Sequence, residues 1–419
     1  MDVLIINGGK ELSGDVVISG AKNAALPLIA STLGIPGEYI LENVPDLRDT
    51  QTMIKLIKII GCKVEFKNNT LKVNSLNCTN PIAPYELVKT MRASFYVLGP
   101  LISRFNYTEV SLPGGCAWGP RPVNYHIEGL KKLGANVDLD NGNIIAKGPL
   151  KSANIIFQKS SVGATGNIIM ASINISGCTT ISNASKEPEI TSLCEFLNKL
   201  GANIKGIGTD EIIINGVNLD DMENKLTFQI IPDRIEAGTF LMAVAITGGE
   251  VKLQNVNYKH LDIVIDKLKQ AGCEFEISDN SIIIQSSGDI KPIDITTDVY
   301  PGFPTDLQAQ WTALMSIASG SSIVTDEIYL DRFSHVAELN RLGSKIHLKN
   351  NSAFVKGAQT LRGAPVMSTD IRASASLVIA ALRAKGESTI SRIYHLDRGY
   401  EHLEKKLSNI GASIERKNI

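Results

Sequence analysis

The sequence has almost no charge of either sign to spare: 42 Lys and Arg stand against 43 Asp and Glu, a net charge of −1 over 419 residues. A general nucleic-acid binder carries a basic surplus, so that class is disfavoured. An average is blind, however, to a local cluster of cations around a small anion. None of the six cysteines (Cys62, Cys78, Cys116, Cys178, Cys194 and Cys273) stands in CxxC spacing, which speaks against a zinc ribbon or a thioredoxin-like motif. No run of about 18 apolar residues occurs, so no membrane insertion is expected. The start, MDVLIINGGKELSG, lacks a basic region followed by an apolar stretch, and no signal peptide is expected. The consistent expectation is a reducing, cytoplasmic compartment with free thiols. GxxxxGK[ST], HExxH and GxSxG are all missing, which argues against a P-loop, a catalytic metal and a hydrolase elbow. No metal and no cofactor are expected. Hydrophobic residues at 43% and charged residues at 20% are those of an ordinary globular chain, not a disordered one.

What the sequence does have is repetition. A Leu-rich helix end, a glycine, a strand, a polar turn and a second strand recur six times. GLKKLGANVDLDNGNIIAKG, FLNKLGANIKGIGTDEIIING and ELNRLGSKIHLKNNSAFVKG are three of the copies. The glycines are Gly61, Gly134, Gly201, Gly272, Gly343 and Gly411, separated by 73, 67, 71, 71 and 68 residues. Each stands where a left-handed residue would stop a helix. Asn141-Gly142 and Asn68-Asn69 suit hairpin turns.

A second kind of helix precedes each of these segments, as in GATGNIIMASINISG, EAGTFLMAVAITGG and RASASLVIAALRAKG. Small and aliphatic residues cover nearly every face, which marks helices buried inside a soluble domain. The unit reads as strand, buried helix, strand, second helix, hairpin. Six units suit one ring or two groups of three, and a soft prior of roughly 150 residues per domain favours two groups. The last unit ends early, while extra strand material opens the chain. We therefore expect one domain over residues 22–230, and a second built from 231–419 and completed by strands of residues 1–21. A cleft between two such domains is a usual place for a small ligand. A repeat scaffold that only binds partners is the plainer reading.

The second unit is interrupted by SLPGGCAWGPRPVNYH, whose glycines and prolines fit a turned or mobile loop, about 112–122, able to act as a lid. A single cysteine is most often a small core residue. Cys116 instead has glycine neighbours and a nearby Arg121, which would lower its thiol pKa and hold an anion. Lys22, Arg92, Lys159 and Arg372 each precede a buried helix, where unpaired N–H groups also attract anions. Asp233, Asp306 and Asp370 recur at helix starts as well, and a simple capping role is open for each. Asp306 stands out because PGFPT before it is stiffened by two prolines.

The segments SGAKNAALPL, MRAS, LPGGCAWGPRP, SVGATGNIIMA, KEPEI, PDRIEAGTF, YPGFPTDLQAQ, DRFSHVAEL, TDIRASASL and YHLDRGYE together resemble the bacterial UDP-N-acetylglucosamine 1-carboxyvinyltransferases along essentially the whole chain. The resemblance implies an α/β fold of two inside-out α/β barrel (prism) domains, each of three repeated units with buried helices and outer sheets. It implies phosphoenolpyruvate and UDP-N-acetylglucosamine as substrates, an addition–elimination that releases phosphate, and a role in peptidoglycan precursor synthesis. It leaves oligomeric state and the choice between main and secondary paralogue open. By likeness, Cys116 is the reactive cysteine of a closing loop, and Lys22, Arg92, Cys116, Arg121 and Arg398 surround phosphoenolpyruvate. Lys22, Arg398, Cys116 and Asp306 form the catalytic set. The nucleotide sugar falls to Asn23, Arg92, Arg121, Pro122, Val123, Asn124, Tyr125, Lys159, Ser161, Val162, Gly163, Asp306 and Ile328. Glu187, Asp233, Arg332, Asp370 and Arg372 organise the cleft. Three residues depart from the usual pattern: Trp118 replaces a smaller aliphatic residue, and Asn124 and Tyr125 replace Asp and Leu. Enolpyruvyl transfer to a shikimate phosphate and a non-catalytic sensor on the same scaffold remain as alternatives.

Overall fold

The computed structural model describes residues 2–112, 123–358 and 360–418. The chain divides into two compact units, one of Gly20–Ile231 and one of Met1–Ser19 with Pro232–Ile419. Each has its own hydrophobic core.

One repeat shows how the sequence makes the fold. Strand Ile82–Ala83 is followed by helix Leu98–Phe105, strand Tyr107–Ser111, helix Asn124–Lys132, and the hairpin strands Asn136–Asp140 and Asn143–Lys147. The first two strands pair in parallel because a helix crosses between them, and the hairpin pairs antiparallel because its turn is two residues long. Both turn residues, Asn141 and Gly142, have positive φ (48° and 78°), as a turn twisted to match its strands requires. Numbered within the repeat, the strands lie in the order first, second, fourth, third. All six sheets follow this order.

Three repeats borrow a strand from far along the chain. In the 20–231 unit, the strand Lys225–Gln229 closes the first repeat by pairing in parallel with Glu38–Glu42. In the other unit, Leu12–Val17 pairs with Gly249–Gln254. Asp2–Asn7 lies between Glu387–Ser391 and Ser413–Asn418, in the place of the hairpin strand that the last repeat lacks.

The small-residue helices are buried as their composition requires. Every residue from Ile235 to Thr247 in helix Arg234–Thr247 is buried. This helix packs on Gln308–Met315 and Ile371–Arg383, and each of the three also contacts its own sheet. The surface helices end at the repeated glycines. Gly61, Gly134, Gly201, Gly272, Gly343 and Gly411 all have φ between 90° and 115°, where a side chain would be strained.

The expected barrel (prism) domains are corrected by the hydrogen bonding. The described strands form six separate four-stranded sheets of mixed pairing, and in none does the last strand pair with the first. Closure needs an unbroken ladder around the whole circumference, and about eight strands to leave room for a filled interior. Here each sheet stops at the outer strand of its hairpin. Helices, not strands, fill the space beside it.

Leu4 is fully buried on Asp2–Asn7, whereas Ile59 is 47% exposed on helix Arg48–Ile60. Leu4→Ala is expected to cost about 2–5 kcal/mol in urea unfolding. Ile59→Ala should cost less than about 0.5 kcal/mol.

Candidate active site

In the 20–231 unit, cations gather at helix starts. Lys22 opens helix Lys22–Ser31, which has no side-chain cap and no acidic residue in its first turn. Its ammonium shares the sign of the helix dipole at that end, so an anion is needed nearby. Asp49 supplies one: its Oδ2 lies 3.2 Å from Lys22 Nζ, and both side chains are buried. Asn23 follows, half-buried. Arg92, also half-buried, opens the 3-10 turn Arg92–Val97 that runs into helix Leu98–Phe105. Lys159 is exposed just before helix Val162–Ser172, whose first turn holds half-buried Val162 and Gly163. Ser161 caps that helix by accepting the Ala164 N–H at 3.4 Å. Glu187 begins helix Pro188–Lys199 and accepts a hydrogen bond from Ser185 Oγ. Val123 and Asn124 start helix Asn124–Lys132, where Tyr125 sets its ring edge-on to Phe157.

His126, one residue on, is fixed by a buried amide. Gly99 N–H donates to Asn167 Oδ1 (2.8 Å), so Asn167 Nδ2 is the donor to Phe95 O (3.1 Å) and to His126 Nδ1 (2.8 Å). His126 must accept at Nδ1, which places its ring hydrogen on Nε2. Burial, and secondarily the Arg92 guanidinium, push its pKa down to about 3. Gly163 allows this ring to approach, since a Cβ there would sit 3.1 Å from its Cε1 and Nε2.

In the other unit, carboxylates occupy the matching helix starts. Asp233 Oδ1 accepts the Ile235 and Glu236 N–H groups, and Asp370 Oδ1 accepts those of Arg372 and Ala373. These are N-caps. Asp306 is different. It lies in the 3-10 turn Thr305–Leu307, and its oxygens meet Arg332 Nη1 at 2.8 Å and Arg372 Nη2 at 2.6 Å. Burial would raise its pKa, but the guanidinium of Arg372, then that of Arg332, outweigh it and hold the carboxyl well below the ordinary range. The Asp306–Arg372 pair ties the starts of two buried helices together. Arg398, half-buried, ends the 3-10 turn Ile393–Arg398. Ile328 is half-buried and donates its N–H to Asp326 Oδ1 (3.0 Å).

The structure thus joins Asp306, Arg332 and Arg372 in one ion-pair cluster, while Asp233 and Asp370 cap their helices and Asp370 Oδ2 also accepts from Ser334 Oγ at 3.0 Å. Cys116, Trp118, Arg121 and Pro122 lie outside the described residues. Among the described residues, no group of three or more His, Cys, Asp or Glu could hold a metal ion, and no helix is long and apolar enough to cross a membrane.

Sequence reasoning missed three supports. Asp49 is 27 residues from Lys22, and nothing in RDTQ advertises their pairing. Asp326 braces the Asp306 turn: it accepts from Thr297 Oγ1 (2.8 Å) and Thr305 Oγ1 (2.7 Å), and the latter accepts from Arg332 Nη1 (3.0 Å). Asn167 stands in a small-residue helix, and an amide among aliphatic residues was the available signal.

The fold is shared with enolpyruvyl transferases. NikO from Streptomyces tendae superposes with a TM-score of 0.91 at 23% identity, covering 100% of this chain and 99% of that one. EPSP synthase from Acinetobacter baumannii gives 0.76 at 18% identity with both chains fully covered. The family model for EPSP synthase (3-phosphoshikimate 1-carboxyvinyltransferase) matches residues 6–407. Proteins named UDP-N-acetylglucosamine 1-carboxyvinyltransferase are far more similar. That of Chlorobaculum parvum is 53% identical over 420 residues, covering 99% of this chain and 98% of its own. That of Campylobacter lari is 50% identical over 416 residues, covering 99% of both. The chain belongs to the UDP-N-acetylglucosamine 1-carboxyvinyltransferase family.

Two pH effects follow from His126 and Asp306. The unfolded chain protonates His126 near 6.5 and the folded protein near 3, so the stability of the neutral ring is complete above pH 6.5 and lost as pH falls toward 3. Imidazole 15N NMR should show one neutral Nε2–H ring at His126 from pH 8 to pH 5. Asp306 acts at lower pH. Its contribution is complete above its ordinary value of 3.8 and lost as pH falls through the lower folded value. Asp306→Asn should flatten that acid limb in urea titrations and cost about 3 kcal/mol at neutral pH, because it strands two buried guanidinium groups.

Proposed function

We infer that this chain is an enzyme that transfers the enolpyruvyl group of phosphoenolpyruvate to the 3-hydroxyl of UDP-N-acetylglucosamine and releases phosphate. This is the first committed step of peptidoglycan precursor synthesis, and through it the chain serves cell-wall growth, shape and division. The observation that carries the inference is about 50% identity, end to end, with enzymes of that name. A cytoplasmic location is part of the proposal, since both substrates are intracellular metabolites and the chain has no membrane-length apolar helix among its described residues.

The proposed chemistry is addition followed by elimination. A general acid protonates the vinyl CH2, and the sugar hydroxyl attacks the adjacent carbon as it gives up its proton. The tetrahedral ketal then loses a methyl proton together with phosphate, which restores the double bond of the enolpyruvyl ether. Phosphate and carboxylate together bring nearly three negative charges, which calls for several permanent cations. Lys22, Arg92, Arg121 and Arg398 are proposed for that role. Lys22 supports it physically: it is a buried ammonium at the positive end of a helix, with Asp49 beside it. Asn23, Val123, Asn124, Tyr125, Lys159, Ser161, Val162, Gly163 and Ile328 are proposed, with Arg121 and Pro122, around the nucleotide sugar.

Asp306 is proposed as the acceptor of the hydroxyl proton. With its pKa held down by two guanidinium groups it is a weak base. It cannot deprotonate a free alcohol beforehand. It can take the proton once the oxygen has begun to bond to the acceptor carbon and become acidic. Each carboxylate oxygen keeps a lone pair for this beyond its contact with arginine. Cys116 is proposed as the proton donor to the vinyl carbon or as the nucleophile of a covalent adduct. Cys116→Asp separates these roles, because a carboxylic acid can deliver a proton but forms no thioether.

The family model's own name raises a shikimate phosphate as the competing acceptor. Phosphate release and product mass should be measured with phosphoenolpyruvate and each acceptor in turn. Turnover is expected with UDP-N-acetylglucosamine alone. Turnover only with the shikimate phosphate, or binding with none, would overturn the assignment. Arg398→Ala and Lys22→Ala should each lower kcat/KM by roughly 30-fold to several thousandfold, equivalent to about 2–5 kcal/mol. Cys116→Asp should retain far more activity than Cys116→Ala if proton delivery is its main role.

A further inference from the structure

Two thiols that enolpyruvyl transfer does not use meet inside the 20–231 unit. Cys62 follows Gly61 at the end of helix Arg48–Ile60 and leads into strand Lys63–Lys67. Cys78 lies beyond the return strand Thr70–Asn74. Both are buried free thiols, and their Sγ atoms are 3.0 Å apart. That is roughly 1 Å longer than a disulfide bond.

The surrounding backbone keeps them there. Cys62 N–H donates to Ile57 O (3.0 Å) and Cys78 N–H to Ser75 O (3.3 Å). Asn80 stitches the loop to the helix end through its N–H on Ile60 O and its Nδ2 on Ile59 O, both 3.2 Å. A Cβ on Gly61 would come within 3.2 Å of Cys78 Cα, so the two segments are in direct backbone contact. Little movement is needed to join the sulfurs.

Arg104 adds charge to this geometry. From helix Leu98–Phe105 it donates to Leu33 O (3.1 Å), Ser75 O (2.9 Å) and Leu76 O (3.3 Å), which sets a cation beside the pair. The hydrogen bond shared with Cys62, then Arg104 against burial, lower the Cys78 pKa. The bond to Cys78 and burial raise that of Cys62. One sulfur is therefore prepared to attack and the other to hold its proton. Cys194 and Cys273 provide the contrast. Burial lifts them to about 12 and about 11, and neither has a thiol neighbour among the described residues.

We propose that Cys62 and Cys78 form a redox-active dithiol, closed to an intrachain disulfide by hydrogen peroxide and reopened by thiol reductants. The Cys78 thiolate attacks one peroxide oxygen, the O–O bond breaks, and the departing hydroxide takes a proton to leave as water. Cys78 is left as a sulfenic acid. The Cys62 sulfur then displaces the sulfenic oxygen, which leaves as a second water with the Cys62 proton. Two sulfurs lose two electrons, and one peroxide becomes two waters. Peroxide suits the site because Cys78 is only 4% exposed yet lies between exposed Asn77 and Thr79, one layer beneath the surface. The closed bond would tie this loop to one end of the helix whose other end holds Asp49, the partner of Lys22.

The test is peptide mapping of the full-length protein, first reduced, then treated with hydrogen peroxide, denatured and alkylated. The exposed Cys178 reports that oxidant was present. The expected result is a Cys62–Cys78 linked peptide that separates on reduction, with Cys194 and Cys273 still alkylated. In Cys62→Ser, Cys78 should run on to sulfinic acid, which the native protein avoids. Full alkylation of Cys62 and Cys78 at doses that oxidise Cys178 would overturn the proposal. Sulfinic acid at Cys78 beside a free Cys62 in the native protein would also overturn it.

Discussion

Helices that are apolar on every side can exist in water only if other elements surround them. In this chain the helix Arg234–Thr247 is buried from Ile235 onward, its companion Gln308–Met315 is buried throughout, and Ile371–Arg383 is buried from Arg372 to Leu382. Much else follows from that constraint. Each such helix needs a sheet on its outer side, and each repeat supplies one from its own strands. The parallel first pair results from the helix crossing over, and the antiparallel hairpin finishes the sheet. Because a sheet must be complete to cover its helix, missing strands are recruited from a distance. Asp2–Asn7 and Leu12–Val17 are drawn into the unit of residues 232–419 for this reason.

Burying these helices also gathers their starts, and the two units use those starts differently. In one unit they bear cations, with Lys22 neutralised by Asp49. In the other they bear carboxylates, two of which cap their own helices. The third, Asp306, is bound by two guanidinium groups. A cap stabilises its own helix through N–H groups that would otherwise be unpaired. Asp306 makes no such bond. Its charge is held by side chains from elsewhere in the unit, braced through Thr305 by Asp326. That distinction separates a candidate reactive carboxylate from its repeat equivalents by its partners, as the PGFPT segment before it does in the sequence.

How legible the chain was depends on the range of the interaction concerned. The repeated glycines were readable because a left-handed residue is a local demand, met by glycine whatever surrounds it. The hairpin at Asn141-Gly142 was readable for the same reason. The buried helices showed in their composition. The family showed in motifs spread along the chain. The barrel expectation failed because closure is a property of hydrogen bonds between strands of different repeats, and no local signal states whether a sheet's last strand meets its first.

The sequence by itself determined the repeat, the place of its turns, which helices are buried and the family to which the chain belongs. Each depends on residues close together in the chain or on a pattern of side-chain types. The tertiary structure alone decided which charges meet. Asp49 pairs with Lys22, Asp306 is shared by Arg332 and Arg372, Asn167 sets the His126 tautomer, and Cys62 touches Cys78. These partners are separated by 16 to 66 residues, and only packing fixes their distances. Electrostatic and hydrogen-bond energies change steeply over an ångström or two, so identity without position leaves them undetermined.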